Sequence, residues 1–269
     1  MKSIKRIIGN IVLLMITSCM IVPFLYMIIT SFKVTYTAYN FDFSFSDITI
    51  INYIQIFREK NFMHYFFNSM FISLCGVVLN VLFSSLAGFS FAKKNFRGND
   101  SLFFYMIMTL IIPSQVTMIP LYIIMRTLGW INSYYALILP LPTALGVFMM
   151  RQAIINVPDE LIDAARIDGC CDLRIFFQIV LPLIKPPIIA LTIFTFIGAW
   201  NEFLWPLIMT MDDSVRTLTV GLSTLQNQYT VNYGLVMAGA TLTFMPSFIF
   251  YLIFQKQFVK GITLSGMKG

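Results

Sequence analysis

The sequence predicts an all-α integral membrane protein, a bundle of six transmembrane helices. Two observations carry that prediction. Of 269 residues, 58% are hydrophobic and only 11% are charged, whereas soluble domains carry roughly 25% charged residues. Apolar stretches long enough to cross a hydrocarbon core of ~30 Å also recur along the chain, and mean hydropathy is +0.81.

The first expected span covers about 7–32. Lys2, Lys5 and Arg6 precede it, and Ile16-Thr17-Ser18-Cys19 has the look of a lipoprotein cleavage box. The apolar run continues past Cys19 to Ile29, longer than the ~7–15 residues of a cleaved signal core. We read it as an uncleaved membrane helix. Further spans follow at about 65–92, 102–125, 133–150, 183–209 and 235–256, the fourth short and holding Pro140 and Pro142. Proline is tolerated in membrane helices when neighbours satisfy the freed carbonyls. The gaps at about 33–64 and 151–182 leave no room for a soluble domain, so residues 1–269 read as a single membrane domain.

The net charge of +6 does not point to nucleic acid, because the basic residues sit in short clusters between apolar spans. With both termini in the cytoplasm, 13 of the 18 Lys and Arg residues fall on the inner side, as the positive-inside rule requires. The same orientation puts loop 151–182 in the cytoplasm. The four cysteines form no CxxC pair and the chain has one histidine, which argues against a zinc site or a disulfide framework.

Within that loop, Asn156 to Gly169 reads as a short helix. Pro158 suits its first position, Asp159 and Glu160 complement the positive end of its dipole, and Gly169 suits a left-handed terminating residue. The i, i+3, i+4, i+7 rule puts Leu161, Ala164, Ala165 and Asp168 on one face. Its two alanines would let another protein's backbone approach. A second helical piece is expected from about Asp172 to Val180, stopped by Leu181-Pro182.

The spacing Asp163-Ala164-Ala165, three residues, Gly169, nine residues, then Ile179-Val180-Leu181-Pro182 resembles the EAA loop of bacterial ABC importer permeases, with Asp163 in place of the usual Glu. Trp200-Asn201-Glu202-Phe203-Leu204-Trp205-Pro206 is similar to a fifth-helix signature of sugar-importer permeases. Asn68-Ser69, and the tail Phe258-Val259-Lys260-Gly261 ending near Met267-Lys268-Gly269, resemble the same group. On these residues the chain is identified as similar to maltose-type carbohydrate permeases, the six-helix partner of an asymmetric pair.

The resemblance implies a type I ABC importer fold in the bacterial inner membrane. It implies a sister permease, a dimeric cytoplasmic ATPase, an extracytoplasmic solute-binding protein and a sugar substrate. Asp163, Ala164, Ala165, Asp168, Gly169, Leu181 and Pro182 would form the coupling loop to the ATPase. No GxxxxGK[ST] phosphate loop occurs in the sequence, so no cofactor is expected in this chain, and ATP, Mg and hydrolysis would belong to the partner. The chain itself is then no enzyme.

Asn201 and Glu202 have two readings. They could line a substrate path and bind hydroxyl groups, or they could hold their helix to its neighbours or to the sister permease; an intramembrane carboxylate fits either. Three rival functions are compatible with a membrane bundle. An ion-coupled secondary transporter would need more ionisable groups in the spans and commonly repeated halves. An ABC permease for another solute, such as a glycerol phosphate, is not excluded by the loop. A scaffold without transport leaves the loop unexplained.

Overall fold

The computed structural model describes residues 2–37, 47–58, 61–228 and 232–266. Among these, the regular elements are all helices. In chain order they are α1 (Lys2–Ser31), α2 (Ile51–Arg58), α3 (Phe62–Lys93) and α4 (Asn99–Ile111). Next come α5 (Ser114–Thr127), α6 (Tyr134–Ile138), α7 (Ala144–Ile155), α8 (Asp159–Ile167) and α9 (Asp172–Leu183). The last are α10 (Lys185–Asn201), α11 (Leu204–Met209), α12 (Leu218–Gln228) and α13 (Tyr233–Gly266).

Three helices, α1, α3 and α13, are each long and apolar enough to cross a membrane unbroken. Counting α4 with α5 and α9 with α10 as bent spans brings the number among the described residues to five. The remaining expected span, the fourth, at 133–150, is two pieces: α6, a break over 139–143 at Pro140 and Pro142, then α7. The 12 residues of α7 reach only about 18 Å, less than the core thickness.

Proline explains where other spans bend. The expected span 102–125 turns by 106° between α4 and α5. Ile112, ahead of Pro113, adopts φ −80 and ψ 118, the extended conformation favoured before proline. The expected span 183–209 is α10 followed by a break at Glu202-Phe203 and then α11. Leu181-Pro182 does not stop the preceding helix, contrary to the sequence reading. The helix runs on to Leu183 and the 84° turn comes at Ile184. A wide π turn over Phe176–Val180 loosens the backbone where the ring of Pro182 would meet the carbonyl four residues earlier.

By contacts the chain divides into two compact units: Met1–His64 with Leu218–Pro246, and Tyr65–Thr217 with Ser247–Gly269. In the first, α1 passes through Cys19 without a break and turns Leu13 and Leu14 outward. Asn52 on α2 donates to the carbonyls of Ser31 and Lys33, at 2.9 and 2.8 Å, satisfying acceptors freed at the end of α1.

Among the described residues, the second unit has two apolar clusters. One gathers Met150, Ile154, Val157, Ile162, Ala165, Ile175, Phe176 and Val180, joining α7, α8 and α9 to Phe89 of α3. The other gathers Ile72, Met125, Leu137, Trp205 and Met209. A buried polar node bridges α3, α7 and α10. Asn80 donates to Thr195 Oγ1 at 2.7 Å and accepts from Ser84 Oγ at 2.8 Å and from the amide of Thr143 at 3.1 Å. A Cβ on Gly146 would lie 2.4 Å from Ser84 Oγ, so only glycine lets α7 approach α3 this closely.

Candidate functional site

The site begins with helix ends. Pro158 precedes α8 with extended backbone, φ −57 and ψ 133, and Asp159 and Glu160 occupy the first turn. The helix ends as predicted on Gly169, at φ +79. The amide of Gly169 donates to Arg166 O at 3.0 Å and that of Cys170 to Ala165 O at 2.9 Å, the paired bonds of a Schellman cap. Space around Gly169 is open, so the left-handed backbone alone selects glycine.

The buried side of α8 consists of Ile162 and Ala165, 2% and 6% exposed. They rest on Ile154, Val157, Ile175 and Phe176. This corrects the expected face. Leu161, Ala164 and Asp168 are exposed, but Ala165 points into the core of its own subunit. At about 100° per residue, positions 161 and 168 stand roughly 40° and 60° from Ala165 and position 164 about 100° from it, so the outward stripe runs beside Ala165, through Ala164. It is completed by Ile167, which is 87% exposed. Asp163 is exposed and takes a 2.9 Å hydrogen bond from Arg166 one turn on. Leu181 is half-buried against the cluster beneath α8, and Pro182 is exposed.

Two residues that the sequence reading counted only as topology charges belong to this site. Lys93, the last residue of α3, donates to Asp159 Oδ1 at 2.7 Å and to Val157 O at 2.7 Å. Lys94 forms an ion pair with Asp172, the first residue of α9. No local pattern could have disclosed these pairs, because the partners stand more than 60 residues apart.

The structure does not bring Asn201 and Glu202 to α8. They stand at the far end of α10, whose 17 residues span about 26 Å. Asn201 donates back to Ile197 O at 2.9 Å. Glu202 Oε1 accepts from the amide of Trp205 at 3.2 Å, capping the first turn of α11. Trp205 Nε1 donates to Ala136 O at 2.9 Å. The polar groups of this signature satisfy backbone freed by the break. Asn68 is likewise a clamp: it donates to the carbonyls of Ser214 and Arg216 and accepts from Tyr134 Oη. The Phe258 to Gly261 segment lies in the backbone of α13, and Met267 to Gly269 lie outside the described residues.

Loop 210–217, between α11 and α12, has its own network. Asn132 Nδ2 donates to Asp212 Oδ2 at 2.9 Å, and Met211 N donates to Asn132 Oδ1 at 2.9 Å. Hydrogen bonds from the Ser214 hydroxyl and amide, then from Asn132, hold the Asp212 carboxyl below its ordinary value of 3.8.

The sequence that builds this arrangement matches a known family. The family described as binding-protein-dependent transport system inner membrane component matches residues 80–264, the stretch that contains α8, its seat and the Glu202 break. The chain belongs to that family. This inner membrane component is 41% identical over 226 residues to the arabinooligosaccharides transport system permease protein AraQ of Halalkalibacterium halodurans, covering 83% of this chain and 81% of the relative. It is 33% identical over 243 residues to the lactose transport system permease protein LacG of Rhizobium radiobacter, covering 90% and 89%. Among solved structures, a chain of a bacterial ABC transporter involved in the import of the acidic polysaccharide alginate superposes with a TM-score of 0.84 at 23% identity. That match covers 94% of this chain and 96% of the other. The expected permease fold is therefore found, in a multi-pass membrane protein.

Proposed function

We propose that this chain is one of two permease subunits of an ATP-driven importer. With a sister permease it forms the path for a sugar or oligosaccharide that an extracytoplasmic binding protein delivers. A dimeric cytoplasmic ATPase binds ATP and Mg and supplies the hydrolysis. The chain lies in the bacterial plasma membrane with both termini inside.

The observation that carries the reading is α8. It is held by a buried seat, a Schellman cap and Lys93 at its first residue. Its outer side nevertheless leaves Leu161, Ala164 and Ile167 exposed. A short rigid helix with an apolar outer stripe suits a groove in a partner. The substrate class is supported by relatives named for arabinooligosaccharide and lactose transport. The orientation is supported by the 13 of 18 basic residues on the inner side.

Two experiments test this. In proteoliposomes holding the chain, its sister permease and the ATPase, uptake of labelled arabino-oligosaccharides or lactose should require ATP and the loaded binding protein. Uptake driven by an ion gradient without the ATPase would contradict the reading. With the native cysteines replaced by serine, Asp100→Cys should label only from the cytoplasmic side and Met211→Cys only from outside. Labelling of both from one side would overturn the topology.

A further inference from the structure

The end of α3 carries two consecutive lysines, and each reaches the first residue of a different helix. Lys93 Nζ lies 2.7 Å from Asp159 Oδ1, at the start of α8, and 2.7 Å from Val157 O. A third acceptor, Ile155 O at the end of α7, is 3.5 Å away. One ammonium with its three donors thus serves the end of α7, the linker and the start of α8. Its side chain is only 6% exposed. Lys94 Nζ pairs with the carboxylate of Asp172 at the start of α9. The entry to α8 and the exit from its cap are therefore fastened to the last residue of one long membrane helix and to the residue that follows it.

That helix end is itself held rigid. Asn99 Nδ2 donates to Lys94 O at 2.8 Å. The Arg151 guanidinium stands 4.0 Å over the ring of Phe103 and donates to Phe91 O. A Cβ on Gly88 would lie 2.8 Å from the amide of Arg151, so α3 and α7 touch backbone to backbone. A displacement of α8 has little slack to be lost in before it reaches α3.

We propose that Lys93 and Lys94 are positioning residues that transmit motion between the docking helix α8 and membrane helix α3. The proposal rests on the docking role given above for α8. Coupling between two sites needs an element whose state both sites bias, and the two lysines make α8, α9 and α3 move as one such element. Docking itself does not need Lys93, whose side chain is 6% exposed, whereas Leu161, Ala164 and Ile167 are exposed. Half-exposed ion pairs add little to stability, so loss of the Lys94–Asp172 pair should barely change folding while it changes coupling.

The test uses the complete complex, with the chain, its sister permease and the ATPase in proteoliposomes. ATP hydrolysis is measured with and without loaded binding protein, and the readout is the stimulated-to-basal ratio. Lys94→Asp and Asp172→Lys should each lower that ratio by about fivefold or more, the low end of typical allosteric coupling. The ATPase should still co-purify with both. The double variant, which restores the pair with its charges exchanged, should return the ratio to within about twofold of the native value. Lys93→Met should lower the ratio further, and Lys93→Arg should retain more of it than Lys93→Met. Native stimulation in both single variants of the Lys94–Asp172 pair, or failure of the double variant to rescue, would overturn the proposal. A native complex without a bound ATPase would instead overturn the docking reading on which it rests.

Discussion

Two regions carry the signatures that mark this chain as a permease, and they use their polar and apolar groups in opposite ways. At the Glu202 break, the polar groups turn inward upon the chain: Glu202 caps α11, Asn201 bonds its own helix and Trp205 bonds Ala136. At α8, the local needs are met by the underside and the cap, and apolar surface is left over on the outside. The difference separates a segment that shapes the fold from a segment that offers a surface. These two bonds of Asn201 and Glu202 stay within four residues of their own segment.

The largest expected effect breaks the seat of α8. Ile162→Ala removes a side chain that is 2% exposed and should destabilise the α7–α8–α9 cluster by about 2–4 kcal/mol. A lower thermal midpoint and faster proteolysis near 156–172 would report it. Ala165→Trp should act the same way, by overpacking the subunit's own core at a cost of about 1–3 kcal/mol. If Ala165→Trp keeps native stability in the isolated chain, the buried side of α8 has been misassigned.

Next is the cap. Gly169→Val puts a branched side chain at a φ of +79 and should cost about 1–2 kcal/mol. With open space around the position, the cost is backbone strain alone. Gly169→Asn, which tolerates this conformation better, should therefore recover much of it. Equal melting shifts for Val and Asn would contradict a strain mechanism.

The break gives a smaller effect. Glu202→Leu deletes the acceptor for Trp205 N–H and should cost about 1 kcal/mol, whereas Glu202→Gln keeps an acceptor and should lose less than half of that. If Gln is as damaging as Leu to uptake, the charge itself matters and the capping account is incomplete. Smallest is Asp212. Its pKa is lowered in the folded protein, so its contribution is present above the unfolded value near 3.8 and is lost as pH falls through the lower folded value. Asp212→Asn should remove that part of the acid sensitivity of loop 210–217, as read by hydrogen exchange at low pH. An unchanged acid profile would remove Asp212 from the account.

Much of this contrast was legible in the sequence, and the exceptions share a cause. Gly169 announced its left-handed cap, and Asp159 and Glu160 announced the start of α8. The break at Glu202 was not read. Pro206 frees the carbonyl of Glu202 four residues earlier, yet that stretch read as one continuous span. Pro23, Pro120 and Pro246 lie inside unbroken helices. A proline alone therefore does not locate a break. At two of the breaks a side chain receives the freed amide: Glu202 for Trp205, and Asn80 for Thr143. Asn80 stands 63 residues from Thr143, and no local pattern predicts such a pairing. The same holds for Lys93, Lys94 and the inward face of α8, which is set by Ile154 and Ile175 and not by the helix's own periodicity alone.

The central claim is that the outward stripe of α8 docks an ATPase subunit. Co-purification tests it most directly, with Leu161→Glu and Ala164→Glu combined on the exposed face and Ile162→Val as a control on the buried one. The account predicts that the double variant accumulates in the membrane with native thermal stability but no longer retains the ATPase, while the control retains it. A stable double variant that still holds the ATPase and transports normally would contradict the account, and α8 would then be a connector.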